Sequence, residues 1–465
     1  MKTNFVKLRW LFTMLLFVTT MIMPTMMLAK SIDLKIPEGD GAGTPYKIGT
    51  AEELYWFAGL VNGTLPGVKK DLSANAILTD DIIVNTGVLD PNKDLVSGND
   101  FIEWIPIGKS SSDDDAYTGT FDGNGHTISG LYFNKSNSWY VGLFGCIGAE
   151  GKISNVGVSD SYFQSSNCPY IGGVCGSNSG ELQNCSNSST VIGKENEYRI
   201  GGVCGYNSGT VKDCKNTGSV RGKETIGGVC GYNERRYNEK GGIIENSFNE
   251  GTVSGTGDYD VLNIGGVCGD NSDGTSTITN CFNEGTVRGK ETIGGVCGNN
   301  SGTIKNCYNT ASVSGQYSVG GVCGDNYEGP ITNCYYLSGT VADGKGGIGG
   351  KDDENGKAVE MSKDRFKSGE VAWLLNGSKS VSTEESTLAW YQKLGENADA
   401  YPVLKSTDHN TVYKAPLFSC DGTTRIGEYA NKPEGDKLSH NYQMAEKADE
   451  GTSNLYSEEC AICHN

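Results

Sequence analysis

The chain has 465 residues, with 38 basic against 56 acidic side chains and a net charge of −18. Such a surface repels nucleic acid and anionic membranes, which removes both as partners. Gly, at 67 residues, is about twice ordinary usage and Pro, at 11, lies below it, which excludes a collagen-like or Pro-rich disordered chain and points to many turns between short strands.

Residues 1–29 read as an export signal. Lys2, Lys7 and Arg9 open it, residues 10–23 form its apolar core, Pro24 breaks that core and Ala29 offers a cleavage point. Its removal takes three basic and no acidic residues, moving the net charge from −18 to about −21. After it, no run of about 18 apolar residues occurs, so no later segment is expected to span a bilayer and the mature chain is not expected to be an integral membrane protein. Residues 30–73 read as an N-terminal cap. There Thr50 and Glu53 form a capping box, and Leu54, Phe57, Ala58 and Val61 fall on one face of a helix over 50–62. Such a helix would plug a stack of strands, whose end coil otherwise presents unpaired amides and carbonyls.

Residues 74–85, 101–107, 117–133 and 140–145 read as strands, with a tight turn at 122–125. From residue 153 onward the chain repeats. Versions of IGGVCG end at Gly176, Gly205, Gly231, Gly269, Gly298 and Gly324, with Cys-to-Cys steps of 29, 26, 38, 29 and 26 residues. The block VRGKETIGGVCG stands letter for letter at 220–231 and again at 287–298. A second column runs Val156, Cys185, Cys214, Ser247, Cys281, Cys307 and Cys334, with Asn155, Asn184, Asn246, Asn280, Asn306 and Asn333 just before it and Asp213 breaking that row. A fixed period of this size marks stacked repeats. Residues 74–350 therefore read as an all-β right-handed parallel β-helix (a solenoid) with three short strands per coil and the Asn column at a corner, where a left-handed backbone is tolerated. Residues 351–418 read as a C-terminal cap and 419–465 as a Cys/His tail module.

At IGGVCGYNSGTVKDCKN (200–216) and FDGNGHTISGLYF (121–133) the chain resembles GLUG-motif proteins, and the likeness extends over roughly residues 39–413. The repeat of that family occurs in exported bacterial surface proteins and beside the catalytic part of immunoglobulin A peptidases. The resemblance implies a secreted or cell-surface, adhesin-like role. It does not carry peptidase activity over, because the histidines are His126, His409, His440 and His464 and none forms HExxH.

Several groups are candidates for chemistry. In an exported chain 16 Cys invite a disulfide framework, yet Phe144, Val156 and Ser247 hold equivalent places, so the columns read as buried small fillers, with disulfides as the alternative. At the end of the chain, Cys460 and Cys463 with His464 form CxxCH. Cys420, His440, Cys460 and Cys463 could hold a structural zinc; the motif also fits haem attachment, a simple Cys460–Cys463 disulfide or no ordered site. The run Asp113–Asp115 is a candidate Ca²⁺ loop set against a plain solvated run. The insertion at 234–242 projects Arg235, Arg236 and Tyr237 as candidate binding residues, against the reading of a solvated loop. The stacked Gly pairs leave either a strip open to a ligand or relief at a bend. Tyr206 and Tyr232, beside that strip, are candidates for stacking on sugars.

The reading is an exported, non-enzymatic binding and spacer module directed at host glycoprotein or glycan, needing no cofactor beyond the zinc that the tail could hold. The alternatives are a polysaccharide-active β-helical enzyme and a fragment of a larger surface protein.

Overall fold

A computed structural model describes residues 32–438 apart from 111–114, 168, 195–197, 236–239, 257–261, 343–344, 350–356, 379–387, 396, 405–408, 421 and 423–424, together with the backbone of 442–447 and 455–460. The export signal, Arg236, Tyr237, His440, Cys463 and His464 lie outside the described residues.

The repeats stack as a parallel β-solenoid. One coil consists of Glu181–Gln183, Ser186–Asn187, Thr190–Gly193, Ile200–Gly201 and Cys204–Asn207, each on its own sheet, called here sheets one to five in that order. Sheets one and two have ten strands, and sheets three, four and five have seven each. Register places like on like: Leu182 against Val211, Val191 against Val220, and Cys204 between Cys175 and Cys230.

The coil has five strands where three were expected, and the extra breaks have identifiable causes. The Asn column and Asp213 take left-handed backbone, with φ between 49 and 54°, which ends sheet one and starts sheet two. The run IGGVCG splits at its Gly pair into the strands of sheets four and five. A Cβ on Gly172, Gly201 or Gly227 would collide with the carbonyl of Cys175, Cys204 or Cys230 three residues on. A Cβ on the second glycine of a pair would meet the carbonyl of the matching glycine one coil on and also an Asn side chain: Asn187 at Gly173, Asn216 at Gly202 and Asn249 at Gly228. The pairs are therefore buried relief at a bend, and the strip that a ligand could have approached is filled by the chain's own backbone.

Two files of buried asparagines run along the interior. Asn178, Asn207, Asn233, Asn271, Asn300 and Asn326 form one, each Nδ2 donating to the next Oδ1 at 2.7–2.8 Å. Asn187, Asn216, Asn249, Asn283 and Asn309 form the other, with the same spacing. The corner column is bonded in the opposite direction, Asn184 donating to Asn155 and Asn280 to Asn246, and each run of it starts on a carboxylate, Asp122 or Asp213. A carboxylate accepts and cannot donate, so Asp213 divides this column in two.

The sulfur columns fill the remaining core. Cys175, Cys204 and Cys323 donate their thiols to the carbonyl two residues on at 2.9–3.0 Å, and Ser247 makes the same kind of bond from the other column, to Glu245 O at 2.8 Å. No disulfide joins cysteines of these columns, and burial pushes the thiols of Cys204, Cys214 and Cys307 well up.

Helix α1 (Ala51–Asn62) plugs the N-terminal end, with Phe57 packed on Tyr117 and Phe121 inside the first coils. Thr50 caps it, and the Glu53 carboxylate reaches back to accept from Gly49 N at 2.9 Å and from the amide of Thr50. Every residue from Glu53 to Asn62 is buried, not one face only, because the segment expected as a strand at 101–107 wraps the far side. That segment makes single bridges at Glu103 and Ile107, and Tyr55 packs edge-on against Trp104. At the other end, α2 (Lys363–Lys367) and α3 (Glu370–Leu375), separated at Gly369, lie against an aromatic file on sheet two. Phe248, Phe282 and Tyr308 stack there at 4.5 and 5.1 Å, and Phe366 and Trp390 cover Tyr308.

Asn249→Ala is expected to destabilise the chain by about 1–3 kcal/mol in denaturant titration, because it leaves buried amides of the neighbouring rungs unpaired. Asp213→Asn, which can donate toward Asn184, should instead gain up to about 1 kcal/mol. Thr292 holds φ at 57° where the preceding coil has Asn263 at 56°. A β-branched residue is strained there, so Thr292→Asn should raise the melting temperature, with a gain of about 1 kcal/mol.

Candidate functional site

The face where sheets four and five meet carries the most distinctive exterior side chains. Tyr140, Tyr170 and Arg199 stand just before the paired residues Val141, Ile171 and Ile200 of sheet four. Tyr206 and Tyr232 are paired neighbours on sheet five. Tyr140 and Tyr170 stack at 5.1 Å with planes 5° apart, Tyr170 meets Tyr206 edge-on at 5.4 Å, and Tyr206 stacks on Tyr232 at 6.0 Å. The Arg199 guanidinium lies 5.3, 5.9 and 4.5 Å from the ring centres of Tyr170, Tyr206 and Tyr232, which is cation–π range. Its Nε is buried and makes no hydrogen bond among the described residues.

The same row of sheet five then changes character, continuing from Tyr232 to Asp270, Asn299 and Asp325. Asp270 is buried, accepts from Asn299 Nδ2 at 3.2 Å on both oxygens and from Asn263 Nδ2 at 3.3 Å. Burial pushes its carboxyl up to about 7, against the opposing pull of the Asn299 bond and the Arg199 charge. Burial also raises Glu234 and the phenols of Tyr206 and Tyr232, so the two tyrosines stay protonated and able to donate. In the other direction the face ends at a hollow of about 540 Å³ lined by Ile105, Pro106, Lys109, Ser138, Trp139 and Tyr140, among others. Trp139 is 67% exposed there.

Of the residues expected to bind, Tyr206 and Tyr232 come together on this face. Arg235 is exposed at the start of its insertion, its backbone amide bonded to Asp273 at 2.6 Å. Of the acidic run at 113–115 only Asp115 is described, and it is paired with Lys70 at 2.5 Å. Cys420 is buried, and the backbone of Cys460 pairs with Tyr442; the remaining proposed zinc ligands lie outside the described residues. Among the described residues no group of three or more His, Cys, Asp and Glu is placed to hold a metal ion. Tyr140, Tyr170 and Arg199 were missed, although a signal existed: each precedes the apolar residue and glycine that open the motif, in YVG, YIG and RIG.

The model of the GLUG motif matches residues 196–221, the coil that contains Arg199 and Tyr206. This chain carries a GLUG motif. It is 38% identical over 84 residues to a halomucin of Haloquadratum walsbyi, a match covering 18% of this chain and 1% of the halomucin. It is 33% identical over 78 residues to a protein of Evansella cellulosilytica provisionally named a Gly-rich membrane protein, covering 17% of this chain and 9% of the relative. The chain thus spans a small part of the length of either relative. A solved structure from Bacteroides ovatus, provisionally named an immunoglobulin A1 protease, aligns over 80% of this chain and 95% of its own, at 18% identity and a TM-score of 0.44.

The Asp270 carboxyl makes the stability of this solenoid pH-dependent. Below its ordinary value of 3.8 the group is protonated both folded and unfolded, whereas between there and about 7 only the unfolded chain ionises. Stability should therefore fall as pH rises through that window and level off above it. In Asp270→Asn the fall should shrink to what Glu234 contributes, leaving a variant more stable than the parent at pH 8 and equal to it near pH 3.5, as read by melting temperature across the range.

Proposed function

We propose that this GLUG chain is a secreted or cell-surface rod that displays one long side as an adhesin-like binding module, spaces that side from its anchorage and catalyses no reaction. The observation that carries the reading is the in-register stack: its interior is filled by valine, cysteine and amide files, so the side chains left for partners are those on the outer rows. The aromatic and cationic row of Tyr140, Tyr170, Arg199, Tyr206 and Tyr232 is the natural display face, since tyrosine, tryptophan and arginine supply most binding energy at recognition surfaces. The relatives named as a halomucin and a Gly-rich membrane protein agree with a surface location. Among the described residues no helix is long and apolar enough to cross a membrane. A host glycoprotein or glycan is the partner class proposed for that face.

One observation favours a second reading, a polysaccharide-active enzyme: Asp270 carries a carboxyl near neutrality on the same row, within the field of Arg199 and Glu234. Its two oxygens are already engaged by Asn299 and Asn263, which argues for a structural role. Incubation of the full chain with acidic and neutral polysaccharides separates the two readings. Binding with no new reducing ends is the expected result. Chain cleavage that disappears in Asp270→Asn would replace the spacer by an enzyme. Protease accessibility of the chain on intact cells tests its location independently, with degradation expected.

A further inference from the structure

The hollow beneath Tyr140 is a built feature of the rod. Sheet four starts at Tyr140–Val141, whereas sheets one and two begin earlier in the chain, at Tyr46–Ile48 and Ile82–Ile83. The segment at 105–110 runs past that starting edge, bridging to Phe144 at Ile107 without adding a strand to sheet four. The outcome is a recess of about 540 Å³ at the foot of the tyrosine file. Its volume lies within the range of small-ligand sites, about 300–1,000 Å³.

The lining has two kinds of surface. Ile105, Pro106, Trp139 and Tyr140 supply apolar and aromatic walls, and Lys109 and Ser138 supply polar groups between them. Among the described residues Lys109 is the only charged side chain in that lining, and it spends one bond on Asn62 O at 2.9 Å, so its ammonium has further protons to donate. Trp139 leaves two thirds of its surface to solvent, although an indole of this size normally buries most of its area. The occupant that matches is a ring with C–H faces for the indole and hydroxyls around its edge for Lys109 and Ser138. A purely apolar group would leave Ser138 and the remaining ammonium protons of Lys109 without a ligand partner.

The structure assigns to this recess a pyranose-binding site, in which one sugar ring of a glycan lies against Trp139 with its hydroxyls or carboxylate toward Lys109 and Ser138. This inference rests on the binding-module reading and names the place and the chemistry of that binding. The continuing glycan chain would leave the recess along the tyrosine row toward Arg199.

The test is titration of the full chain with two probes, a neutral cello-oligosaccharide and an oligogalacturonate, followed by tryptophan fluorescence and calorimetry. At least one probe should bind, and Trp139→Ala should weaken it tenfold or more while Trp139→Phe, which keeps an aromatic face, retains most of the affinity. Trp139 is exposed, so its loss should leave the melting temperature unchanged; Tyr327→Ala, an exposed ring at the other end of the rod, should leave binding unchanged as well. Binding by neither probe, equal binding by Trp139→Ala, or Trp139-dependent binding of a proline-rich peptide in place of sugars would each overturn the assignment. Surface exposure on cells would survive any of these failures, so the broader reading is tested separately.

Discussion

The solenoid depends on buried amide-to-amide hydrogen bonding between coils. Each asparagine of the two interior files offers a donor to one neighbour and an acceptor to the other, so satisfying one rung requires the next rung in register. A slip of one residue would set each buried amide against the residue beside its partner, Tyr206, Lys215 or Phe248 for example, and leave polar atoms without partners, which is far costlier than the loss of a single contact. The glycine pairs serve the same constraint. The first allows the sharp return between sheets four and five, and the second leaves room for the amide of the file beside it.

Much of the architecture was legible because these constraints act on fixed residue types at a fixed period. Gly-Gly, Val-Cys and the corner Asn each recur once per coil, and a sequence shows such recurrence directly. Strand number was less legible, since Gly-Gly and left-handed Asn interrupt runs that read as continuous; each coil therefore has five strands. The stretch at 101–107 is a short, mostly apolar run as a buried strand would be, yet its neighbours are helix α1 and the first edges of sheets three to five. Burial against α1 decided its conformation. For the same reason the helix, which shows one apolar stripe plus Tyr55, Trp56 and Leu60, is covered all round.

The candidate face was half legible. Tyr206 and Tyr232 lie inside the recognisable repeat, so their neighbourhood could be read. Tyr140, Tyr170 and Arg199 sit one position ahead of it, and nothing in a one-dimensional pattern shows that a residue before one strand meets the middle of the next. Trp139 belongs to a turn between sheets three and four, where repeat lengths vary and alignment by eye fails. The Cys columns proved to be interior filler whose thiols bond to backbone carbonyls, a role that Ser247 takes over without altering the coil.

The direction of the amide files has a consequence for how such a chain can change in length. Every interior rung receives from the coil before it and gives to the coil after it, so the file has a head and a tail but no preferred number of members. A copied pair of coils can be spliced in without rewriting either terminus, as the verbatim twelve-residue block at 220–231 and 287–298 suggests for this gene. The length of the rod then becomes a matter of arithmetic, adjustable by recombination in steps of one rung height.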